Sequence, residues 1–575
     1  MRKQFNARKG FARLAAISLA AGLCVLTGCG GTTSAPGGED VRETDAEKTQ
    51  LIIAAGENGV GSQWLKNSAA RFEEAYKDVS FEKGKKGVQC TILSAPNYMG
   101  SNLVDTVQSE SADVWFLEAV TYTDYVKKGN MADITDIVTE ELTEFGENKT
   151  IAEKMSGGYS EFLNNGTEEK PKYYAIPYFD GFYGLTYDKD LFAEKNLYFK
   201  SSGTEAGDGA DNLGFVTSDS DKKSAGVDGK LGTRDDGLPA TYAQFLSLIE
   251  EMKKQGITPF AVNGGTNYQM RTMATFWART EGPEQYALNQ NLKGTATDLV
   301  KLDSNGKIVW NGDKPAIETL EITPDNAYEL QRQVGKYQAL KLWDRIIADK
   351  KNYPDRYLSH INAQIEFMKG KSDKFKDYGM LIDGIWWVNE ASSSFNALSG
   401  TLGEGFKKEN RNFGFMPLPV AEAEDIGKQN VLMAATDGLC FIRSTTKVLD
   451  CAKAFLKFTS SDAELSEFVG DLSFTRSLNH ELTEEAAKRV TSFGRDVNEI
   501  KQESYVAYNV STEPLYINNM AKFSVYDWPF LANIAGSQFY NPWQFWTNYS
   551  GQYTAEQYFE AMYPTQKQAW GNLQR

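Results

Sequence analysis

The stretch that decides the fold is LIIAAGENGVGSQWLKNSAARFEEAYKDV, residues 51–79. It opens with a continuous apolar run, which is typical of a strand buried on both faces of a sheet. After a glycine-containing turn, Leu65, Ala69, Phe72 and Tyr76 recur at spacings of four, three and four, so they lie on one face of a helix. A buried strand followed by an amphipathic helix is the repeating unit of a mostly parallel α/β sheet.

The same alternation continues along the chain. VQCTILSA (88–95) and ADVWFLEA (112–119) have strand patterns, and ATYAQFLSLIEEMKKQGI (240–257) has the periodicity of a helix. Strand patterns return in YGMLIDGIWWVNEA (378–391) and VLMAATDGLCFIRSTTK (431–447). Roughly 525 folded residues exceed what one core supports, so we expect two α/β lobes. More than one crossing between the lobes would leave a cleft, where small ligands bind.

The N-terminus has the pattern of a secretion signal. Five basic residues up to Arg13 precede the apolar run LAAISLAAGLCVLTG and then Cys29. LTGC, residues 26–29, resembles the lipobox of bacterial lipoproteins, in which the cysteine is lipidated. We therefore predict a signal peptide over 1–28, lipidation of Cys29 and a flexible tether over 29–49. The alternative is an ordinary signal peptide with a chance cysteine.

Composition disfavours several classes of function. The formal net charge of -16 argues against nucleic acid as a partner, because an acidic surface repels phosphate. Only two histidines, His360 and His480, disfavour a histidine-rich zinc site or a Ser-His-Asp triad. The chain has no GxSxG, HExxH, Walker A or GxGxxG pattern. Cys90, Cys440 and Cys451 are expected to be small buried side chains.

Aromatic residues point to stacking surfaces as well as to a core. The chain has 28 tyrosines, 32 phenylalanines and 11 tryptophans. A sugar presents a flat C–H face and a rim of hydroxyls, so its site needs aromatic platforms beside hydrogen-bonding side chains. Several segments place both kinds in loops after strands, although packing in the core explains any single tryptophan equally well. These segments predict the following ligand contacts: Tyr98, Tyr178, Phe182, Asn267 and Asp383.

Five segments in order resemble a known family. They are AIPYFDGFYGLTYDKDLF (175–192), TYAQFLSLIEEMKKQGITPFAVN (241–263), MLIDGIWWVNEA (380–391), NFGFMPLP (412–419) and AFLKFTSSDAELSEFV (454–469). The chain resembles family 1 of the extracellular solute-binding proteins of bacterial ABC importers, which includes the maltodextrin-binding proteins. The resemblance implies an α/β, type II periplasmic-binding fold with two lobes and a hinge of two or three crossings. The expected lobes are 50–176 plus about 417–460, and 177–416 plus about 461–575.

The resemblance also assigns ligand contacts. An aromatic residue after the Asp-Gly turn stacks on a sugar ring in this family, which favours Trp386 and leaves Trp387 for packing. Where maltodextrin binders often have an aromatic residue this chain has Leu117, which leaves the exact sugar open. The other contacts implied are Glu118, Asp180 (with a register uncertain by one residue), Tyr268, and Trp543 or Trp546.

The function implied is capture and delivery rather than catalysis. A lipid-anchored monomer on the extracytoplasmic face would close around a carbohydrate and present it to the permease subunits of an ABC transporter, without a required cofactor. Insertions near 195–240 and 283–335 favour an oligosaccharide. Two alternatives stay open: a lipid-anchored glycoside hydrolase with a carboxylate pair, and a carbohydrate-binding surface lipoprotein without a transport role.

One acidic segment raises the possibility of a structural calcium ion. TSDSDKKSAGVDGKLGTRDDGLP, residues 217–239, has closely spaced carboxylates and glycines, which suit calcium but lack the EF-hand spacing. It resembles the calcium-binding insertions of larger oligosaccharide-binding relatives. The alternative is a solvated acidic loop with Asp-Gly turns. The candidate ligands are Asp219, Asp221, Asp228, Asp235 and Asp236, of which the last three are favoured.

Overall fold

The computed structural model describes residues 42–57, 59–370, 372, 374–523 and 528–573. The predicted signal peptide and Cys29 lie outside these residues. Within the described ranges, none of the helices combines the length and the apolar character that crossing a membrane requires.

The strands are short except for two. Their bounds are β1 Thr49–Gly56, β2 Val88–Ala95, β3 Val114–Glu118, β4 Ile176–Asp188, β5 Thr258–Ala261, β6 Gly294–Val300, β7 Trp310–Asn311, β8 Lys314–Pro315, β9 Ile317–Ile322, β10 Tyr378–Gly384, β11 Phe413–Met416, β12 Val431–Ile442, β13 Tyr505–Ala507, β14 Ala532–Ile534 and β15 Ser537–Phe539.

The helices alternate with these strands. Their bounds are α1 Gln63–Ala75, α2 Gly100–Leu103, α3 Tyr122–Lys127, α4 Thr135–Thr139, α5 Ile151–Lys154, α6 Tyr159–Leu163, α7 Lys189–Glu194, α8 Tyr242–Lys254, α9 Asn267–Asn291, α10 Val334–Ala348, α11 His360–Lys369, α12 Trp387–Glu390, α13 Ser392–Leu402, α14 Leu449–Thr459, α15 Asp462–Leu472, α16 Glu484–Arg489, α17 Ser492–Glu503, α18 Pro514–Asn518, α19 Met520–Phe523, α20 Pro542–Tyr549 and α21 Ala555–Trp570.

A nine-stranded sheet organises the fold. Its order is β2-β1-β3-β12-β4-β10-β5, with β11 paired to β4 and β13 to β12. Pairing is parallel among β1, β2 and β3 and between β5 and β10. In the centre, β4 and β12 pair antiparallel to each other and to their neighbours β10 and β3. Parallel pairing, which the sequence predicts for most of the sheet, is therefore found in the two outer parts and between β12 and β13.

The two long strands connect the outer parts of the sheet. All 13 residues of β4 are buried, as expected for a strand covered on both faces. β12 pairs with β3 through Gly438–Ile442 and with β13 through Val431–Met433. Both strands therefore extend from one part of the sheet into the other. This arrangement explains why neither strand shows the alternating pattern of a half-exposed strand.

The predicted helices form where their apolar faces meet the sheet. α1 buries Leu65, Ala69 and Phe72, as its spacing predicts. α8 begins at the capping residue Thr241, whose side chain accepts a hydrogen bond from the backbone N–H of Gln244.

The helix that follows the expected lobe boundary at about 461 contacts elements of both expected lobes. α15 packs on α1, where Glu464 accepts hydrogen bonds from Ser68 Oγ (2.7 Å) and Arg71 Nε (2.6 Å). Residues 462–472 therefore contact α1 of the N-terminal group and also α12 of the C-terminal group, where Asn389 Nδ2 donates to the carbonyl oxygen of Leu472 at 3.0 Å, so the expected lobe bounds stay a prediction.

Candidate functional site

The turn after β10 presents Trp386 between two glycines. A Cβ atom at Gly384 would overlap the six-membered ring of the indole, and a Cβ at Gly59 would lie 2.5 Å from Trp386 Cδ1. Gly59 belongs to the loop after β1, in the other outer part of the sheet. Trp386 is 8% exposed. Its indole therefore lies between the end of β10 and the loop after β1, where the two parts of the molecule meet.

Two tyrosines complete an aromatic cluster, which we define as Tyr183, Tyr268 and Trp386. The ring centroids of Tyr183 and Trp386 are 4.8 Å apart at an interplanar angle of 88°. Tyr268 lies 5.3 Å from Tyr183 and 6.2 Å from Trp386. The two contacts of Trp386 are edge-to-face, at 88° and 74°, a favourable geometry for aromatic pairs. The cluster draws on β4, the start of α9 and the β10–α12 turn.

Two acidic residues that accept hydrogen bonds from the same glutamine lie beside the aromatic cluster. Gln364 Nε2 donates to Asp383 Oδ2 (3.0 Å) and to Glu390 Oε2 (2.7 Å). His360 Nε2 is 3.4 Å from Glu390 Oε1. Burial, reinforced by the charge of Glu390, raises the pKa of Asp383 well above its ordinary value. Asp383 is buried, whereas Glu390 is partly exposed, so Glu390 is the more accessible acceptor.

Glu118 approaches the aromatic cluster from the other part of the sheet. Burial raises the pKa of the Tyr268 phenol, and the charges of Asp383, Glu390 and Glu118 add to the shift. Glu118 also contributes to the raised pKa of Tyr178, again after burial. Its carboxylate therefore lies close enough to influence tyrosines on two elements, Tyr178 on β4 and Tyr268 at the start of α9. Ala119, the next residue, has a φ of 54°, a strained value for alanine that turns the chain as β3 ends.

One cation borders the aromatic cluster. The guanidinium carbon of Arg271 lies 4.7 Å from the ring centroid of Tyr183. Tyr268 and Arg271 are three residues apart in α9, so they share a helix face. The site therefore combines aromatic rings, hydrogen-bond acceptors and a donor group, which are the components needed to hold a polyhydroxylated molecule.

Trp387 takes the opposite role from its neighbour. It is fully buried, and its Nε1 donates to Thr186 Oγ1 at 3.0 Å. Its ring packs against Phe367, Phe395 and Phe413 at centroid distances of 5.1–5.8 Å. The structure thus assigns Trp387 to the core, as the sequence interpretation preferred.

The structure does not bring Trp543 and Trp546 into the aromatic cluster. Both lie on α20 and are buried, with Trp543 5.5 Å from Trp343 and Trp546 5.5 Å from Tyr558. Because the two residues are three positions apart in a helix, they share the face that packs on the core. The start of this segment reaches the loop before α9, where Asn541 Nδ2 donates to Thr266 Oγ1 at 2.7 Å. A ligand contact by Trp543 or Trp546 stays a prediction that their burial disfavours.

Asp180 also lies away from the aromatic cluster. It is fully buried in β4, where Oδ1 accepts a hydrogen bond from Ser477 Oγ (2.6 Å) and Oδ2 accepts one from Tyr508 OH (2.8 Å). Lys501 Nζ is 2.7 Å from Oδ2. These contacts attach the crossing strand to the segment from Ser477 to Tyr508. Because both carboxylate oxygens of Asp180 already have partners, its side chain holds β4 to this segment. A contact between Asp180 and a ligand stays a prediction.

The remaining predicted contacts lie in different surroundings. Tyr98 is partly buried, with its ring 5.4 Å from that of Trp115. Tyr178 is buried against Phe116 at 5.2 Å, beside the region that Glu118 influences. Phe182 is fully buried in β4. Asn267 is exposed at the first position of α9, next to Tyr268.

In the acidic segment, Asp221, Asp228, Asp235 and Asp236 have hydrogen-bond or ion-pair partners within residues 200–236. Asp221 Oδ1 is 2.6 Å from Lys200 Nζ, and Asp219 is exposed. Asp228 accepts from Lys230 N, Asp235 from Asp228 N and Thr233 Oγ1, and Asp236 from Gly232 N. Among the described residues, no group of three or more His, Cys, Asp or Glu side chains is placed to hold a metal ion. Calcium binding stays a prediction, which thermal unfolding with added calcium and with a chelator would test.

Sequence reasoning missed several residues of the site. Glu390 stands in the same quoted segment as Trp386, so a search for acceptors near the tryptophan would have found it. Gln364, His360 and Gly59 come from other elements and show no pattern of their own. Their placement depends on how the chain folds. The three described cysteines, as expected, are buried thiols.

Comparison with known proteins identifies the family. The model of the bacterial extracellular solute-binding proteins matches residues 62–464. A protein solved in work on xylan utilization by Caldanaerobius polysaccharolyticus is 13% identical, with a TM-score of 0.50 over 90% of this chain and 99% of that chain. At this identity the likeness shows a shared fold.

Two further solved structures are similar to the chain. The apo form of RafE from Streptococcus pneumoniae is 13% identical (TM-score 0.49, 92% of this chain and 100% of that chain). The maltotriose binding protein of Thermus thermophilus is 14% identical (TM-score 0.46, 90% and 99%). No curated protein matches the chain. The chain belongs to the bacterial extracellular solute-binding proteins, a family with two α/β lobes whose members bind solutes and are not enzymes.

Proposed function

We propose that this protein captures a carbohydrate, specifically an oligosaccharide, at the aromatic cluster and delivers it to the permease subunits of an ABC importer. The observation that carries the proposal is the placement of Tyr183, Tyr268 and Trp386 beside Glu390. Aromatic rings match the apolar face of a sugar, and carboxylates accept hydrogen bonds from its hydroxyls. A nucleotide or another strongly anionic ligand suits the site poorly, because the carboxylates of Glu118 and Glu390 would repel it.

The arrangement of the crossing strands supports a mechanism of closure. Glu118 and Gly59 belong to one part of the sheet, and Tyr268 and Trp386 to the other. A ligand that contacts both sets gains interactions only when the two parts approach each other, so it favours the closed form. In the conformation described, Trp386 already lies against Gly59. A sugar ring must therefore displace this contact or enter beside it.

The cellular setting follows from the family and the N-terminal sequence. Extracellular solute-binding proteins act outside the cytoplasm. We propose that Cys29 carries the lipid that holds the protein, as a monomer, at the outer face of the cell membrane. The permease would recognise the closed form, and ATP hydrolysis would take place on a separate chain.

A thermal-shift screen tests the proposed ligand class. A ligand that binds only the native state raises Tm by mass action, by an amount that grows with its concentration relative to Kd. We expect a raised Tm with at least one oligosaccharide from a panel of glucose-, xylose-, galactose- and N-acetylglucosamine-containing glycans. The Trp386→Ala variant is the matched control, in which the shift should shrink. No shift with any glycan would contradict the proposal.

A further inference from the structure

Two exposed tyrosines adjoin the candidate site. Tyr357 is 76% exposed and Tyr540 is 45% exposed, whereas most large aromatic side chains of this protein are buried. Scattered exposed aromatic residues need no explanation by themselves. Tyr357, however, lies against the short loop of residues 264–267, which leads directly into Tyr268. Tyr540 is next to Asn541, which is hydrogen-bonded to the same loop.

Tyr357 rests on the backbone of this loop. A Cβ atom at Gly264 would overlap the ring of Tyr357, so the ring lies directly against the glycine. The backbone N–H of Gly264 also donates to the carbonyl oxygen of Leu358 at 2.8 Å. The ring is therefore supported on one side and exposed to solvent on the rest of its surface. An exposed ring in a fixed position is a stacking platform that loses little entropy when a ligand binds.

Tyr540 precedes Asn541, which is hydrogen-bonded to the other end of the loop. Asn541 Nδ2 donates to Thr266 Oγ1 at 2.7 Å, which fixes the start of α20 beside the start of α9. The hydroxyl of Tyr540 donates to Gln538 Oε1 at 2.7 Å. This hydrogen bond restrains the ring while most of its surface stays accessible.

The aromatic cluster continues toward these tyrosines. The Tyr268 ring is 6.2 Å from that of Trp386 and 6.4 Å from the imidazole of His360. His360 begins α11, three residues after Tyr357. Rings therefore follow one another from the turn after β10 to the exposed surface.

We propose that Tyr357 and Tyr540 form a separate outer subsite, which binds one ring of an oligosaccharide whose other end lies at the aromatic cluster. This inference rests on the proposed function and specifies its ligand as a chain of several sugar units. A monosaccharide at the aromatic cluster would not reach the outer subsite. The outer subsite therefore increases affinity only for longer ligands, since binding at linked sites adds favourable contacts without a second loss of translational freedom.

The test measures how removal of the outer rings changes Kd for ligands of different length. Calorimetric titration would measure Kd for malto-, xylo- and chito-oligosaccharides from di- to hexasaccharides, with the unsubstituted protein and four variants. Tyr357→Ala and the double variant Tyr357→Ala/Tyr540→Ala remove the platforms, and Tyr357→Phe keeps the ring. Trp310→Ala is the matched control, because Trp310 is 46% exposed in a hairpin of the insertion between β6 and β9.

The expected result is selective for length. Tyr357→Ala should weaken binding of the longest bound member about three- to tenfold, as the loss of one aromatic contact predicts. It should leave Kd for the shortest bound member unchanged, and the double variant should lose more. Tyr357→Phe and Trp310→Ala should match the unsubstituted protein.

Three results would overturn the inference. If Tyr357→Ala leaves all affinities unchanged while the unsubstituted protein binds sugars, the outer subsite does not exist and the proposed function stands. If the variant weakens short and long ligands equally, Tyr357 belongs to the aromatic cluster and not to a separate outer subsite. If the unsubstituted protein binds no oligosaccharide of any series, the proposed function fails and the outer subsite fails with it.

Discussion

The tryptophan pairs Trp386–Trp387 and Trp543–Trp546 occur in similar aromatic segments, but their side chains take different positions in the fold. The adjacent pair follows the end of a strand, and the structure separates its members, with Trp386 between two halves of the molecule and Trp387 in the core. The other pair lies on one face of α20, and both members are buried. Spacing within a local element therefore decides whether two aromatic residues share a role.

The comparison also shows what a site needs besides aromatic residues. Trp386 contacts two tyrosine rings of the aromatic cluster, but it also has Gly59 and Gly384 against its indole and Glu390 nearby. The rings of Trp543 and Trp546 contact aromatic side chains of the core. Small residues and acidic groups around a ring leave room and polarity for a ligand. A ring enclosed by other rings contributes to stability instead.

Removal of the core tryptophan should produce the largest change. Trp387→Ala deletes a fully buried indole and its hydrogen bond to Thr186, so it should lower the free energy of unfolding by about 3–5 kcal/mol. Urea denaturation measures this value. The folded fraction should keep its sugar affinity; a large change in Kd without a change in stability would reverse the assignment of the two tryptophans.

Removal of the site tryptophan should mainly change binding. Trp386→Ala should weaken oligosaccharide binding about tenfold or more, which corresponds to about 1.4 kcal/mol or more, because a central aromatic contact is lost. Calorimetry gives the Kd, and the same urea titration should show a smaller loss of stability than for Trp387→Ala. An unchanged Kd would place the sugar elsewhere.

A methyl group at Gly59 should disturb the contact across the two halves. A Cβ there would lie 2.5–2.6 Å from three atoms of Trp386, so the indole must move in Gly59→Ala. We expect a more open ligand-free form in small-angle scattering and a stability loss of about 1 kcal/mol from overpacking. Gly400→Ala is the control, since a Cβ there meets nothing within 4 Å. Identical scattering for both variants would contradict the contact.

The acidic residue behind Trp386 should give the smallest effect, through pH. Burial raises the pKa of Asp383 in the folded protein, so the folded state holds a proton that the unfolded state has released, and stability falls as pH rises through the raised pKa. Asp383→Asn stays neutral and should remove this loss. The stability of the variant relative to the unsubstituted protein should therefore increase from pH 5 to pH 8. A constant difference would show that Asp383 is ionised normally.

The sequence predicts the elements better than it predicts the site. The apolar periodicity of α1 and α8 and the runs of β1 and β2 determine these elements locally, and the structure has them where the patterns place them. The spacing of Trp543 and Trp546 also predicts that both lie on one buried helix face. The family resemblance favoured a ligand contact at these residues instead. Local patterns therefore explain one of the two tryptophan pairs completely.

The rest of the site depends on contacts between distant segments. Gly59 and Trp386 are far apart in the chain, and nothing in either segment indicates that they meet. The burial of Asp180 depends on partners in a third segment, Ser477, Lys501 and Tyr508. Exposure of Tyr357 is likewise a property of the folded surface. Only the assembled fold brings these residues into place.

A crystal structure with a bound oligosaccharide tests the central claim most directly. The measurement is the position of the sugar rings relative to the indole of Trp386. We predict one ring in van der Waals contact with Trp386, with hydroxyls hydrogen-bonded to Glu390 or Glu118 from opposite halves of the molecule. A sugar bound at Trp543 or Trp546, or at any surface without contact to Trp386, would contradict the account.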